Sequence, residues 1–198
     1  NNVTGVPVSD KIWDRLGVSF ELMLYAQVLA LIIAIPWGVF SAYKANGALD
    51  RISNVTAFAM LAMPAFLVAL VLIIFVAQKW KLFDLPTQYV GVGDFPYSPF
   101  DRENLRQLAL PTISLAVAQI AIYMRLLRSD MIATLQEDFI TTAKAKGIPS
   151  RRILFRHALR PSSLTLLTVA GLNVGALIGG AIVVERIFNL PEIGRAHV

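Results

Sequence analysis

Few residues in this 198-residue sequence have types and spacings that could carry out chemistry. There is no cysteine, and the two histidines, His157 and His197, lie far apart in the chain. The sequence contains no HExxH, CxxC or GxSxG pattern, so it offers no candidate for the usual zinc, thiol or serine-hydrolase site. The GxxxxGK[ST] pattern is also absent, so the chain does not bind ATP through a P-loop. These observations predict that the chain is not itself an enzyme.

Polar residues are concentrated instead in one segment, from Thr134 to Pro161, which reads TLQEDFITTAKAKGIPSRRILFRHALRP. Apolar stretches of membrane-spanning length flank it, Leu108–Met124 before and Leu164–Val184 after. Eight Lys and Arg residues face three acidic residues from position 125 to position 160, a net charge of +5. The segment is therefore predicted to be a basic loop between two membrane spans.

Two helices are predicted within this loop. Thr134 and Glu137 have the spacing of a capping box, which satisfies the free backbone N–H groups at a helix start. The run Gly147-Ile148-Pro149 should stop that helix, because glycine suits a left-handed cap and proline cannot continue a helix. Ser150 could then cap a second helix, which Pro161 is expected to end.

The first helix has an apolar stripe at helical spacing with basic residues beside it. Two interpretations stay open from the pattern alone. The helix could lie on lipid headgroups, held by its lysines, or it could dock in a groove of a soluble partner. The stripe consists of Leu135, Phe139, Ile140 and Ala143, and the flanking lysines are Lys144 and Lys146.

The composition places the chain in a membrane. It is 56% hydrophobic and 16% charged, whereas soluble domains average about 25% charged residues. The net charge of +5 does not indicate nucleic acid, because the excess lies in one loop between apolar spans. No signal peptide is visible, and both ends read as cut, so we expect a fragment of a longer protein.

Four membrane spans are predicted, each long enough for a hydrocarbon core of about 30 Å. Pro36 and Pro64 lie inside the first two spans. Because the loop after the third span is basic and the loop before it is neutral, the basic loop is placed in the cytoplasm. The expected order is 1–21 external, 22–43 span, 44–54 cytoplasmic, 55–78 span, 79–107 external, 108–128 span, 129–163 cytoplasmic, 164–184 span and 185–198 external.

The fourth span has two further features. Gly171, Gly175 and Gly179 lie at i, i+4 and i+8, a spacing that lets helix backbones approach closely. Whether the contact is within the chain or across a dimer stays open. Asn173 is the strongly polar side chain of this span, and it could make an interhelical hydrogen bond or contact a substrate. No charge lies at the centre of any span, where ion-coupled transporters usually place one.

The loop resembles the EAA loop of ABC-importer permeases. The resemblance rests on Ala143-x-x-x-Gly147, on the wording DFITTAKAKGIPSRRILFRHALRP, which is similar to the dipeptide/oligopeptide/nickel branch, and on GGAIVVERIFNLPEIGR near the end. It implies an all-α polytopic membrane protein with the type I ABC importer permease fold. Four transmembrane helices of an expected six would lie in this fragment, in a prokaryotic inner (plasma) membrane.

The resemblance also implies partners and site residues. A second permease subunit, two ATPase subunits and an extracytoplasmic substrate-binding protein would complete a peptide importer in the lipid bilayer. This chain would bind no cofactor, since ATP and Mg²⁺ would bind to the ATPase. The coupling helix that contacts the ATPase would comprise Glu137, Asp138, Phe139, Ile140, Ala143, Lys144, Lys146 and Gly147.

A second function remains open. The same loop could recruit a soluble partner to a membrane scaffold that transports nothing. Binding without nucleotide-dependent flux would distinguish that scaffold from an importer. A channel fits less well, since no charged or carbonyl-rich filter is evident.

Overall fold

The computed structural model describes residues 8–79, 85–87 and 101–190, with side chains at 17–77, 85–87, 101–175 and 177–190. Every regular element in these ranges is helical. The helices are α1 (Val8–Tyr43), α2 (Ala48–Ala62), α3 (Ala65–Val71, continued as a π-helix over Leu72–Lys79), α4 (Arg102–Thr134), α5 (Asp138–Ala145), α6 (Ser150–Arg152, continued as a π-helix over Ile153–Ala158) and α7 (Leu159–Ile187).

The helices confirm an all-α membrane architecture for the described residues. Two of them are long and apolar enough to cross a bilayer, Gly17–Tyr43 within α1 and Arg102–Thr134, which is α4. The number rises to four if each of two interrupted helix pairs is counted as one span. The helix α1 already begins at Val8 and runs through Pro36, so residues 8–21 form no separate interfacial helix.

Proline interrupts the second predicted span. The helix α2 ends at Ala62, and Met63 adopts an extended conformation with φ −97° and ψ 113°. The residue before a proline is driven out of the helical region by contact with the proline ring. Pro64 then stands at the start of α3, a position where its missing N–H costs nothing.

Pro161 does not end the second helix of the loop, so that prediction is wrong. Residues 150–187 are continuously helical through α6, the π-helix and α7. Just before the proline the backbone changes its hydrogen bonding, and the N–H of Leu159 donates to the carbonyl of Leu154, five residues back. A helix tolerates proline where its hydrogen-bond ladder is already rearranged.

The described chain forms two compact units. One draws on Asn1–Ala26, Pro64–Ala116 and Gly175–Val198, and its core includes Leu22, Leu108 and Leu110. The other comprises Gln27–Met63 and Val117–Val174 and contains the basic loop. Its buried side chains include Val39, Tyr123, Met124, Leu127, Met131, Ile140 and Leu166.

In the second unit, α1 and α4 approach closely at Gly38. A Cβ atom there would lie 3.0 Å from the carbonyl oxygen of Met124 and 3.2 Å from the Cβ of Leu127. A side chain at this crossing would require the neighbouring helix to move by a few tenths of an ångström. Predictions that concern residues 1–7, 80–84, 88–100 and 191–198, His197 among them, lie outside the described residues.

Candidate functional site

A hydrogen bond between two hydroxyl groups joins the two ends of the basic loop. Thr134 ends α4, Ser162 lies in the first turn of α7, and their side-chain oxygens are 2.9 Å apart. The Ser162 hydroxyl also donates to the carbonyl of Ala158 at 2.9 Å, so Thr134 is the donor to Ser162. Residues 135–161 are therefore held between the ends of two long helices.

The predicted capping box at the start of α5 does not form. Thr134 is still part of α4, and its hydroxyl is engaged with Ser162. Glu137 takes the N-cap position in an extended conformation, without a side-chain hydrogen bond to the helix. Thr134 and Glu137 have the spacing of a capping box, but α4 continues about three turns beyond the apolar stretch that ends at Met124 and therefore includes Thr134.

The predicted stop at Gly147 is confirmed. Gly147 has φ +73°, a left-handed conformation that residues with a side chain rarely adopt. Its N–H donates to the carbonyl of Lys144 at 2.9 Å, and the N–H of Ile148 donates to the carbonyl of Ala143 at 3.2 Å. These two bonds form a Schellman motif, which satisfies carbonyls at the end of α5.

One face of α5 is used to hold the loop together. Ile140 is fully buried and Ala143 nearly so. The helix α5 packs against the π-helix Ile153–Ala158. On that side Ile153 and Leu154 are also buried. Ile140 and Ala143 therefore fix α5 within the loop. Because both side chains are buried, they are not available to a partner, and Phe139 is the exposed apolar residue of α5 that remains.

The helix surface beside this buried face is exposed, and Phe139 lies on it, four residues before Ala143. Phe139 is 47% exposed, an unusual position for a large aromatic side chain on a charged helix. The other predicted coupling residues Glu137, Asp138, Lys144, Lys146 and Gly147 are exposed as well. An aromatic side chain with a charged rim is the usual composition of a protein-binding hot spot.

Sequence reasoning missed a charged cluster beneath this loop. Asp50, in the first turn of α2, is only 2% exposed. Its carboxylate accepts hydrogen bonds from Nε and Nη2 of Arg128, the second at 2.6 Å. The Ser41 hydroxyl donates to the same carboxylate at 2.7 Å, and the backbone N–H of Asn46 donates at 2.8 Å.

The Asp50 cluster joins three elements at one point. Ser41 belongs to the last turn of α1, Asp50 to α2, and Arg128 to α4, six residues before the loop begins. Asn46 reaches the carboxylate from a turn with φ +66°. The sequence contained one signal, an acidic residue in the first turn of a helix, but it could not name Arg128 as the partner.

A second polar cluster lies among the spans, and it answers the question about Asn173. The Asn173 side-chain amide donates to Oε1 of Gln119 at 3.2 Å and contacts the Tyr123 hydroxyl at 3.4 Å. Tyr123 in turn donates to Oε1 of Gln27 at 3.0 Å, and Gln27 donates to the carbonyl of Ala170 at 3.4 Å. Asn173 thus makes an interhelical hydrogen bond, one of the two roles that its position left open.

The glycine face of α7 makes no close contact with the described part of the chain. No heavy atom lies within 4 Å of where a Cβ would stand at Gly171, Gly175 or Gly179. Gly180, one residue off that face, lies 3.5 Å from Leu115 by the same measure. The close helix packing predicted for these three glycines remains a prediction, and whether its partner lies in this chain or in another one stays open.

Within the described ranges, no three His, Cys, Asp or Glu side chains are grouped so that they could hold a metal ion. The charged residues on α5, Asp138 and Lys144, are exposed, and the charged groups of the Asp50 cluster are bonded to each other. Their arrangement suits mechanical contact with another protein.

The sequence matches a known family along most of its length. Residues 34–197 match the profile of the family described as "Binding-protein-dependent transport system inner membrane component". The chain is 40% identical over 194 residues to the oligopeptide transport system permease protein AppB of Bacillus subtilis, covering 98% of this chain and 60% of that protein.

Two other relatives are similar. The dipeptide transport system permease protein DppB of Bacillus subtilis is 37% identical over 191 residues, which cover 96% of this chain and 58% of the relative. The oligopeptide transport system permease protein OppB of Salmonella typhimurium is 36% identical over 195 residues, with 96% and 58% covered. The chain thus spans about three fifths of the length of the curated relatives it matches.

Proposed function

Because the chain belongs to the family of binding-protein-dependent transport system inner membrane components, we propose that it is a permease subunit of an ATP-driven importer. The proposed substrates are dipeptides or oligopeptides, as the names of the relatives suggest. The subunit forms half of the translocation pathway and couples to a separate ATPase through the loop at 134–161. The exposed Phe139, on a helix that the neighbouring buried residues Ile140 and Ala143 hold in place, carries this proposal.

The proposed importer has further subunits. A second permease completes the pathway, two ATPase subunits bind on the cytoplasmic side, and an extracytoplasmic binding protein delivers the peptide. ATP and Mg²⁺ bind to the ATPases, and this subunit is not catalytic. The lack of a P-loop in its sequence supports this division of labour.

Coupling requires that force on α5 reach the membrane spans. Phe139 enters a groove of the ATPase, and the charged residues around it form the rim. Movement of α5 passes to the π-helix through the buried side chains of Ile140 and Ala143. From there it reaches α7 directly and α4 through the hydrogen bond between Thr134 and Ser162. A packed loop can transmit displacement because protein interiors compress little.

A membrane scaffold that recruits a partner without transporting anything would use the same exposed surface. The names of the relatives, all transport permeases, favour the importer. The two functions differ in one measurable respect, since only the importer links binding of the partner to nucleotide-dependent flux.

The test uses the full-length protein, reconstituted in proteoliposomes with its partner permease, the ATPases and the binding protein. We expect ATP-dependent uptake of a dipeptide and stimulation of ATP hydrolysis by the loaded binding protein. Phe139→Asp should abolish both, because it places a charge in the apolar centre of the contact.

Thr141→Asp is the matched control, since Thr141 is exposed on the same helix but lies on its other flank. It should retain most of the uptake. Full uptake by the Phe139→Asp variant would refute the coupling role of α5. ATPase binding without uptake of any peptide would instead support the scaffold.

A further inference from the structure

The second helix of the basic loop presents arginines without acidic partners. Arg151, Arg152 and Arg156 are all exposed. The sequence has no Asp or Glu between Asp138 and Glu185, and none of these arginines belongs to an ion pair found in the described part of the chain. Their positive charge is therefore available to a ligand from outside the chain.

Two of the arginines share a groove with an aromatic residue. The groove has a volume of about 470 Å³ and is lined by Pro149, Arg151, Arg152 and Phe155. Residues three and four positions apart on a helix lie on one face, so both arginines lie on the same side of the helix as Phe155 and line the groove with it. Phe155 itself is 42% exposed.

An aromatic contact gives the depth of this groove relative to the membrane. The rings of Phe155 and Phe40 meet edge to face, with centroids 6.4 Å apart. Phe40 lies in the last turn of α1, the end predicted to reach the cytoplasm, and is 53% exposed. Ile33, two turns earlier on the same face of α1, is also exposed, so this face is expected to contact lipid.

Phe155 is thus level with the end of a membrane-crossing helix, and Arg151 and Arg152 lie one turn away. With α1 crossing the bilayer as predicted, this is the depth expected for phospholipid phosphates. Guanidinium groups bind phosphate oxygens in pairs and with a geometry that lysine lacks, and basic clusters next to membrane helices attract anionic lipids.

We propose that the groove formed by Pro149, Arg151, Arg152 and Phe155 binds the headgroup of an anionic phospholipid in the cytoplasmic leaflet. The two arginines bind the phosphate, and Phe155 with Phe40 packs against the upper acyl chain. The two helices of the loop then have different partners, since α5 faces the ATPase and the helix after Gly147 is anchored to the bilayer. This inference rests on the membrane orientation and not on the identity of the transported substrate.

Native mass spectrometry of the full-length protein tests the site. The protein is purified in detergent and titrated with phosphatidylglycerol or phosphatidylcholine. We expect preferential retention of phosphatidylglycerol, about tenfold weaker in the double variant Arg151→Gln/Arg152→Gln. The matched control, Lys44→Gln/Arg51→Gln, removes the same charge from two exposed residues of the other predicted cytoplasmic loop and should retain the lipid.

Equal retention of the two lipids, or the same loss in the control, would overturn the proposal. So would a double variant that keeps phosphatidylglycerol but no longer binds the ATPase, because the groove would then belong to the ATPase. Lipid retention is measured without transport, so this result is independent of whether the protein imports peptides.

A second measurement leaves the arginines unchanged. Tryptophan is introduced by Phe155→Trp, and the added fluorescence is compared with that of the unmodified protein. Brominated phosphatidylglycerol should quench it more strongly than brominated phosphatidylcholine. Equal quenching by both lipids would exclude selective binding of the anionic lipid at this position.

Discussion

Arg128 holds the buried carboxylate of Asp50 with two parallel hydrogen bonds, from Nε to one oxygen and from Nη2 to the other. The pair joins the first turn of α2 to α4 at a point six residues before the basic loop. Bidentate geometry of this kind is strong and directional. The loop therefore begins from a fixed part of the second unit.

Replacing one member of this pair should be costly. In the variant Asp50→Asn, the charge of Arg128 loses its carboxylate, and removal of one partner of a buried pair typically costs about 3–5 kcal/mol. Thermal unfolding of the purified full-length protein in detergent should show a clearly lower Tm. Arg51→Gln, which changes an exposed residue next to Asp50, should leave the Tm unchanged.

The double variant Asp50→Asn/Arg128→Gln extends this test. Because neither charge is then left alone, its loss of stability should be smaller than the sum of the two single losses. Strict additivity would mean that the two side chains do not interact in the protein.

Adjacent residues of α5 should have separable effects. Ile140→Ala creates a cavity in the loop, at a typical cost of about 2–5 kcal/mol, and should speed amide hydrogen exchange in residues 138–158. Phe139→Ala removes an exposed ring and should leave hydrogen exchange unchanged while lowering ATP-dependent uptake at least about tenfold. If Phe139→Ala loosens the loop as much as Ile140→Ala does, the division of α5 into an inner and an outer face is wrong.

Gly147 should resist substitution for reasons of backbone conformation alone. No heavy atom lies within 4 Å of where its Cβ would stand, but its φ of +73° costs a residue such as alanine about 1–2 kcal/mol. Gly147→Ala should therefore speed hydrogen exchange at the amide of Ile148, which closes the Schellman motif. Gly147→Asn should do so less, because asparagine tolerates this conformation better. Equal exchange in all three proteins would contradict the predicted strain.

The same substitution should have different effects at two glycines of the spans, Gly38 in a crowded position and Gly171 in an open one. Gly38→Ala places a methyl group 3.0 Å from the carbonyl oxygen of Met124, and such overpacking typically costs about 1–3 kcal/mol. The Tm of the subunit should fall. Gly171→Ala enters open space and should not lower the Tm of the separate subunit.

The same Gly171→Ala variant distinguishes the partners of α7. The spacing predicts a close helix contact, and if the partner helix belongs to a second permease, the variant should weaken assembly of the two permeases. Size-exclusion chromatography of the co-expressed pair measures this. Normal assembly would assign the face to lipid.

The sequence by itself determined the membrane class, the all-helical architecture, the basic segment and its turn at Gly147. These depend on local properties, namely hydropathy over a span, the excess of positive charge and the conformational freedom of one glycine. The family resemblance likewise rested on short sequence motifs, and the family match over residues 34–197 supports it.

Only the tertiary structure showed which side chains are in contact and which are exposed. Thr134 was predicted to cap α5 but bonds to Ser162, and Pro161 was predicted to end a helix that continues through it. Ile140 and Phe139 belong to one apolar stripe, yet one is buried and the other exposed. Asp50 and Arg128 are 78 residues apart. Contacts of this kind depend on how helices rotate and cross, and hydrophobic periodicity specifies neither to within one residue.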